Sequence, residues 1–225
     1  MASADDTVVG GFENHRFQSG DLTLAAHLVR PLGRGVGRNS GSRSGGGVPG
    51  VGICHGFPSG ADGGANSVAT FPELAFRIAT EMGWVAMVPY LRGMGDSEGD
   101  FSLDGWRDDV AAAAADLGID TVNCFTGPAP FRDLGSPTLH RDIGEGEAWG
   151  MVCRAFDRVL PVADRHGIRV AVEAVYGMVC RDYYTLAELL RRYDSPALGV
   201  NYDPSHMDLH GNSVGWTIEQ LAPRI

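Results

Sequence analysis

The amino-acid sequence predicts an α/β protein with a mostly parallel sheet and flanking helices, built as one open three-layer sheet rather than a closed barrel. The chain has 225 residues, of which 44% are hydrophobic, and this is enough for a buried core. Short apolar runs alternate with longer segments of helical periodicity. Because the alternation continues through the middle of the chain, it implies parallel strands covered by helices.

Four short runs in the first half are expected to form strands. Thr7–Phe12 and Leu22–Val29 are rich in apolar and β-branched residues. Val51–Cys54 and Val85–Pro89 are short apolar runs, typical of buried strands. Residues 33–50 consist mostly of glycine, serine and arginine, which cannot pack a core, so a flexible surface loop is expected there.

Two helices are expected in the same half. Phe71–Met82 carries Leu74, Ile78 and Met82 at helical spacing, so these three side chains would share one face. Asp104–Leu117 contains a run of alanines, which have the highest intrinsic helix propensity.

The second half continues the alternation of strands and helices. The predicted elements are, in order, Ile119–Phe125, Trp149–His166, Arg169–Ala174, Tyr183–Tyr193, Leu198–Tyr202 and Val214–Leu221. An apolar stripe runs along the first of these helices, and Pro161 is expected to kink or restart it because proline lacks the backbone N–H.

Composition restricts the possible partners and the compartment. The formal net charge of −10 argues against binding to nucleic acid, which requires a basic surface, and favours a small soluble substrate. No apolar run approaches the ~20 residues of a membrane helix, and the N-terminus lacks the pattern of a secretory signal. A cytoplasmic location is therefore expected.

The cysteine pattern agrees with a reducing compartment. The chain has four cysteines, which are widely spaced and include no CxxC pair: Cys54, Cys124, Cys153 and Cys180. Such spacing favours free, buried thiols rather than a disulfide framework or a zinc site.

Two motifs in the first half occur in a characteristic order and spacing. They are Val51-Gly-Ile-Cys-His-Gly-Phe-Pro and Tyr90-Leu-Arg-Gly-Met-Gly-Asp-Ser-Glu-Gly. Residues 7–112 thereby resemble the N-terminal half of an α/β-hydrolase, with its HG oxyanion loop and its RGxGxS loop. The resemblance implies that His55 to Phe57 form the oxyanion loop. Phe57 is the plausible N–H donor there, because Pro58 has no N–H.

A hydrolase nucleophile is not found by motif. Ser97 fits GxSxG within Gly95–Gly99, but a glycine-rich turn follows it instead of a helix, so it is interpreted as a turn residue. Cys54 fits GxCxG, but it lies where a strand leads into the oxyanion loop. After the helix at 104–117 the sequence offers no nucleophile elbow, so a catalytic triad cannot be assembled.

Two strands of the second half end in acidic residues. Val170-Ala-Val-Glu173 is one, and Gly199-Val-Asn-Tyr-Asp203-Pro-Ser-His206 is the other. Carboxylates at the carboxyl ends of parallel strands lie where α/β enzymes place their active residues, because the loops there open onto a common edge. Glu173, Asp203 and His206 are therefore the preferred candidate site residues.

Residues 113–225 resemble the middle of the xylose-isomerase-like sugar isomerase and epimerase family, which are TIM barrels. The resemblance rests on Leu117-Gly-Ile-Asp-Thr-Val-Asn-Cys-Phe-Thr-Gly, on the strand ending at Glu173 and on the DxxH of Asp203 to His206. It implies that Glu173 and Asp203 bind a divalent metal (Mn, Mg, Co or Zn), that His206 contacts a substrate oxygen, and that Glu173 also moves a proton. The substrate would be a small sugar or polyol.

The resemblance is partial, and three hypotheses follow from it. A complete barrel takes ~250 residues, and the family's remaining histidine and glutamate ligands are expected beyond Ile225, so a weak site with two protein ligands is predicted. The first hypothesis is a metal-dependent sugar isomerase or epimerase with an incomplete site. The second is a relative of acyl or ester hydrolases that lacks its nucleophile elbow, and the third is an inactive fusion or truncated product.

The two resemblances imply a hydrolase-like portion, residues 1–112, and a partial xylose-isomerase-like (β/α) portion, residues 113–225. Three further residues, one histidine and two aromatic residues, could belong to the site. His210 is interpreted as a loop residue, and Trp149 and Tyr176 are interpreted as core residues rather than walls of a sugar pocket.

Overall fold

The computed structural model describes residues 11–31, 48–55, 70–127 and 139–225. The chain divides into two compact units, Met1–Ile119 and Asp120–Ile225. The α/β class with flanking helices is confirmed, and the sheets of the described residues are open, with no closed barrel. The predicted loop at 33–50 and the predicted strand Thr7–Phe12 lie mostly outside the described residues.

Seven strands and six α-helices make up the described chain. The strands are β1 (Phe12–Ser19), β2 (Leu22–Val29), β3 (Gly50–Gly52), β4 (Val85–Pro89), β5 (Thr121–Phe125), β6 (Arg169–Glu173) and β7 (Leu198–Asn201). The helices are α1 (Phe71–Arg77), α2 (Leu103–Leu117), α3 (Glu145–His166), α4 (Tyr183–Arg192), α5 (Pro204–Leu209) and α6 (Val214–Leu221). None of the described helices is long and apolar enough to cross a membrane.

The strands form two sheets, which corrects the expectation of one continuous sheet. The first unit contains a four-stranded sheet of order β1-β2-β4-β3, and the second contains a three-stranded sheet of order β5-β6-β7. The βα alternation identifies strands but not their partners. Among the described strands, β5 pairs only with β6, so it forms an edge of the smaller sheet.

The sheet of the first unit is mixed. β1 and β2 form an antiparallel hairpin whose turn contains Gly20 at a positive φ of 60°. β2 also runs antiparallel to β4, whereas β3 and β4 are parallel. An all-parallel TIM barrel contains no antiparallel pair, so this unit does not have the strand arrangement of a barrel segment.

Helices cover both faces of this sheet. Ala113 of α2 packs with Phe17, Leu24 and Met87 on one face. On the other face the cluster is Val29, Phe71, Ala75, Ala79, Ala86 and Val88. The first unit is therefore a three-layer structure around a small apolar core.

The predicted face of the helix over 71–82 is confirmed only at Ile78, which packs against the core. Leu74 and Met82 are 41% and 54% exposed, while Ala75 and Ala79 are buried. Small side chains let the helix approach the sheet closely, so the alanines occupy the contact. The helix also continues as a π-helical turn over Ile78–Met82, which changes the angular spacing on which the prediction depended.

A buried ion pair joins the loop after β4 to α2. The carboxylate of Asp109 has no exposed surface, and it accepts hydrogen bonds from the Arg92 guanidinium at 2.7 Å and the Ser19 hydroxyl at 2.6 Å. The Arg92 backbone N–H donates to the same carboxylate at 2.8 Å, and the Trp106 indole N–H donates to the Arg92 carbonyl at 2.9 Å. These bonds hold the RGxGxS loop against the helix.

The sheet of the second unit is entirely parallel. Side chains alternate between its two faces, so the odd-numbered residues of the three strands share one face. The even-numbered residues Val170, Val172, Leu198 and Val200 are buried. The odd-numbered face carries Asn123, Phe125, Glu173 and Asn201 and is partly exposed.

One local prediction in this unit needs correction, and one element was not predicted. Pro161 does not restart its helix, because α3 continues through it while its stripe of buried residues packs. The stripe includes Val152, Phe156 and Leu160. The short helix α5 follows β7 directly and was not predicted.

Candidate metal and substrate site

Glu173 is the last residue of β6, and two amides from the neighbouring strands hold its carboxylate. The side-chain amide of Asn201 on β7 donates to Oε2 at 3.0 Å, and that of Asn123 on β5 donates to the same oxygen at 3.3 Å. An ionised carboxylate only accepts hydrogen bonds, which assigns the NH₂ group of each asparagine to this contact. The other oxygen, Oε1, points toward His206.

Asp203 lies two residues beyond β7 and caps the N-terminus of α5. Its Oδ1 accepts a hydrogen bond from the Ser205 backbone N–H at 2.7 Å. Pro204 occupies the first helical position, where a missing N–H carries no cost. Hydrogen bonds from the Ser205 hydroxyl and backbone hold the pKa of Asp203 below its ordinary value, so this side chain is ionised at neutral pH.

His206 lies in α5, and its tautomer follows from one contact. The backbone N–H of Tyr176 donates to Nδ1 at 3.2 Å. A neutral imidazole has one N–H and one acceptor nitrogen, so the proton is assigned to Nε2. Nε2 lies 3.9 Å from Oε1 of Glu173 and 4.0 Å from Oδ2 of Asp203.

The fold thus brings the three predicted site residues together. One ligand atom from each of Glu173, Asp203 and His206 lies within 4.8 Å of the others, and this is the only such cluster in the described part of the chain. Their side chains are 20%, 36% and 21% exposed. The cluster is therefore accessible to a dissolved ion or small molecule.

The donor set fits a hard divalent cation. Mg²⁺ and Mn²⁺ favour carboxylate and water oxygens, and Mg²⁺ is commonly held by one or two carboxylates together with water and substrate. Zn²⁺ usually takes three or four protein ligands rich in nitrogen or sulfur. Since the His206 nitrogen nearest the carboxylates carries a proton, Glu173 and Asp203 are the residues that would hold the ion.

The aromatic candidates separate into two environments. Tyr176 is 52% exposed, touches the site through its backbone and packs against the His210 ring, with ring centroids 5.3 Å apart and planes tilted by 30°. His210 ends α5, and its buried Nε2 has no hydrogen-bond partner among the described residues. Trp149 lies on α3, where the Arg192 guanidinium approaches its ring at 5.9 Å. Tyr176 is therefore not a core residue, which corrects the sequence interpretation.

Sequence reasoning did not identify Asn123, Asn201 and the Tyr176 backbone as parts of this site. The first two are polar residues within otherwise apolar strands, which is a signal that could have been used. The role of the Tyr176 N–H has no sequence signal, because it depends on the path of the loop after β6.

The hydrolase-like candidates of the first unit have structural contacts. The Ser97 hydroxyl donates to the Tyr90 carbonyl at 2.6 Å and accepts from the Ala25 N–H at 2.8 Å, which agrees with its interpretation as a turn residue. His55 is 5% exposed, and its Nε2 accepts from the Leu91 N–H at 3.3 Å. Phe57, the predicted oxyanion donor, lies outside the described residues.

The thiol of Cys54 is not activated as a nucleophile. All four cysteines are free, as predicted, but only Cys180 is buried, so the expectation of buried thiols is wrong for the other three. Cys54 retains exposed surface, yet surrounding protein atoms raise the pKa of its thiol to about 11 through desolvation. Reactive cysteines instead have a lowered pKa, so this residue is protonated and weakly nucleophilic at neutral pH.

Acidic side chains at the carboxyl ends of parallel strands are typical of α/β enzymes whose active site lies at that edge of the sheet. In this chain a histidine lies beside the two acidic side chains. The particular family is given by a family model, the xylose isomerase-like TIM barrel, which matches residues 50–224. The chain belongs to this family. The match includes residues 50–112, for which the hydrolase-like interpretation stays a prediction.

No curated protein matches the sequence. Among solved structures, the probable 3-DHS dehydratase AsbF, involved in petrobactin synthesis in Bacillus anthracis, is 18% identical with a TM-score of 0.45, covering 53% of this chain and 40% of that chain. The mannonate dehydratase of Streptococcus suis serotype 2 is 17% identical with a TM-score of 0.41, covering 54% and 45%. A putative hydrolase of Agrobacterium vitis S4 is 13% identical with a TM-score of 0.35, covering 72% and 52%. The chain spans less than half the length of the two dehydratases.

Proposed function

We propose that the chain is a metal-dependent isomerase or epimerase of small sugars, with Glu173, Asp203 and His206 as its site residues. The observation that carries this proposal is the convergence of two carboxylates and one imidazole at the carboxyl ends of β6 and β7, with ligand atoms within 4.8 Å. Membership of the xylose isomerase-like family supports the same chemistry.

Glu173 and Asp203 are the proposed ligands of the cation, and Mg²⁺ or Mn²⁺ suits them best. Each carboxylate has one oxygen engaged by the protein and a second oxygen on the side facing His206. A bound divalent cation supplies Lewis-acid polarisation of neighbouring substrate oxygens. Two protein ligands leave coordination positions for water and for the hydroxyl groups of a sugar.

His206 is the proposed proton donor to the substrate. Its Nε2–H faces the space between the two carboxylates, because the Tyr176 N–H occupies Nδ1. A sugar hydroxyl or carbonyl oxygen in that space would accept this hydrogen bond. Isomerisation and epimerisation both change the charge on such an oxygen, so a positioned donor assists the reaction.

Tyr176 gives the site an apolar surface beside its polar groups. The ring is exposed, and its contact with the tilted His210 ring restricts its orientation. Small-molecule sites commonly combine aromatic walls with a few placed polar groups. The C–H face of a sugar ring would pack against this surface while its hydroxyl groups reach the carboxylates.

Hydrogen exchange at carbon tests the proposal directly. By the enediolate route, either reaction transfers a proton from the carbon next to a carbonyl group to a base, for which Glu173 is the proposed residue. The chain, incubated in D₂O with Mn²⁺ or Mg²⁺ and a panel of ketoses and aldoses, should therefore introduce deuterium at that carbon. Proton NMR measures the exchange as loss of the signal of the proton bound to that carbon. Glu173→Gln should abolish the exchange, and Glu147→Gln, the same change at an exposed position in the first turn of α3, should retain it.

The outcomes separate the three hypotheses. Exchange that requires the metal and Glu173 supports the proposal. Absence of exchange with every sugar, combined with a melting temperature that does not rise with Mn²⁺, overturns it and favours an inactive product, since a ligand that binds only the native state must stabilise that state. Covalent labelling by a serine-directed phosphonate would instead favour the hydrolase.

A further inference from the structure

We infer that Asn123 and Asn201 are positioning residues that direct the carboxylate of Glu173, so that Oε1 is presented to a divalent cation. The inference rests on the proposed function, because it gives these asparagines a role toward the ion that Glu173 and Asp203 would hold. Neither asparagine is itself proposed as a ligand.

The strand register brings both amides to one oxygen. Asn201 pairs directly with Glu173 across β6 and β7. On the other side, Phe125 of β5 pairs with Glu173, and Asn123 lies two residues before it on the same face of the sheet. The two amides therefore approach Oε2 from the two neighbouring strands, at 3.0 and 3.3 Å.

Two donors on one oxygen restrict the carboxylate. A glutamate side chain has three rotatable bonds, and a carboxylate without partners can turn either oxygen toward an ion. Hydrogen bonds to a charged acceptor are stronger than neutral ones, so the pair of amides selects one orientation and leaves Oε1 facing His206. The Ser205 N–H acts in the same way on Asp203, whose Oδ2 also faces His206.

Uncharged donors are suited to this task. Arginine or lysine would bind the Glu173 carboxylate more strongly, but a positive charge only a few ångström away would repel a cation. An amide orients the carboxylate without neutralising it. Partners of this kind around metal ligands typically change metal affinity by about 10–100-fold when they are removed.

The two asparagines could instead have a purely structural role, in which their hydrogen bonds join the ends of three strands. A thermodynamic cycle distinguishes this role from the positioning of Glu173. Glu173→Asp keeps the charge but shortens the side chain by one methylene, which takes the carboxylate out of reach of the amides. If Asn201 acts through Glu173, removal of the Asn201 amide should weaken metal binding when residue 173 is glutamate. It should have little effect on metal binding in the Glu173→Asp variant.

The experiment measures the Kd for Mn²⁺ of the full chain by electron paramagnetic resonance of the free ion. Asn201→Ala and Asn123→Ala should each weaken binding by about tenfold. Adding Asn201→Ala to Glu173→Asp should weaken it by less than about twofold, because coupled residues are not additive. Asn212→Ala is the matched control, since Asn212 accepts a hydrogen bond from the Tyr183 N–H in the same unit, and it should leave the Kd unchanged.

Thermal melting of each variant verifies folding, and Asn201→Ser replaces Asn201→Ala in the cycle if the alanine variant does not fold. Equal weakening in both backgrounds would overturn the inference and leave a structural role. Wild-type affinity in the asparagine variants would overturn it as well, while the proposed function stands. Absence of Mn²⁺ binding by the wild type would reject the proposed function together with this inference.

Discussion

The backbone N–H of Tyr176 donates a hydrogen bond to Nδ1 of His206, with 3.2 Å between the two nitrogens. This contact assigns the imidazole proton to Nε2, the nitrogen that faces Glu173 and Asp203. Nε2 of His206 therefore lies near the two carboxylates as an N–H donor and has no free lone pair for a metal ion. A metal ligand needs an unprotonated nitrogen at this position, whereas a proton donor needs an N–H. The hydrogen bond from the loop after β6 favours the N–H at Nε2.

Replacement of His206 should leave metal binding nearly intact. His206→Ala removes a proton donor rather than a ligand, so the Kd for Mn²⁺ should change by less than about threefold, whereas Asp203→Ala should weaken binding at least about tenfold. Isothermal titration calorimetry measures both. His166→Ala, at an exposed position in the last turn of α3, is the control. A loss in His206→Ala as large as that in Asp203→Ala would show that the histidine is a ligand.

The buried ion pair of the first unit should dominate the stability of that unit. Asp109→Ala leaves the Arg92 guanidinium without its partner and should lower the free energy of unfolding by about 3–5 kcal/mol. Glu81→Ala breaks an exposed pair with Arg77 on α1 and the adjoining turn, and it should have little effect. Urea unfolding followed by circular dichroism compares them, and equal stability of the two variants would contradict this account.

Asp109 should also make stability depend on acid pH. Burial raises the pKa of its carboxyl group, but hydrogen bonds from Arg92 and Ser19 outweigh burial and hold the pKa below the ordinary value of 3.8. The unfolded chain then binds more protons, so this contribution is complete above the ordinary pKa and is lost as the pH falls through and below it. Unfolding free energies measured from pH 7 to pH 3 should fall less steeply in Asp109→Asn than in the wild type. Parallel curves would contradict the prediction.

Gly93 should be required in the loop that carries Arg92. Gly93 has a φ of +76°, and an added Cβ would lie 2.5 Å from the Phe101 backbone nitrogen. Gly93→Ala should therefore cost about 1–2 kcal/mol for the left-handed conformation and a further cost of about 1–3 kcal/mol for overpacking. Gly20→Ala, at a φ of +60° with open space around it, should show only the first cost. Differential scanning calorimetry would refute this if the two variants melted alike.

The elements predicted best from sequence are those whose apolar run is itself buried. Val85–Pro89 and Leu22–Val29 have the predicted bounds because hydrophobic burial and local propensity agree there. β1, at Phe12–Ser19, was missed because most of its residues are polar and its pairing with β2 supplies the reason for its conformation. The division into two sheets could not be predicted either, since pairing depends on long-range contacts that periodicity does not contain.

The residues of the site could be predicted, but the hydrogen bonds that orient their side chains could not. Acids at strand ends located Glu173 and Asp203, because parallel strands share a carboxyl edge. The amide donors to Glu173 depend on the register between strands, and the tautomer of His206 depends on one backbone N–H in a loop. A single sequence carries little information on either, although both determine what the side chains can do.

The polar face of the three-stranded sheet has an evolutionary consequence. The hydrogen bonds that orient Glu173, Asp203 and His206 all come from residues between Asn123 and Ser205, on consecutive strands and the turns that follow them. Such a segment can be inherited as one piece. Recombination upstream of β5 would exchange the preceding sequence and leave each of these hydrogen-bond donors in the same segment as its acceptor. The geometry of the proposed site can therefore be preserved when the sequence before β5 changes.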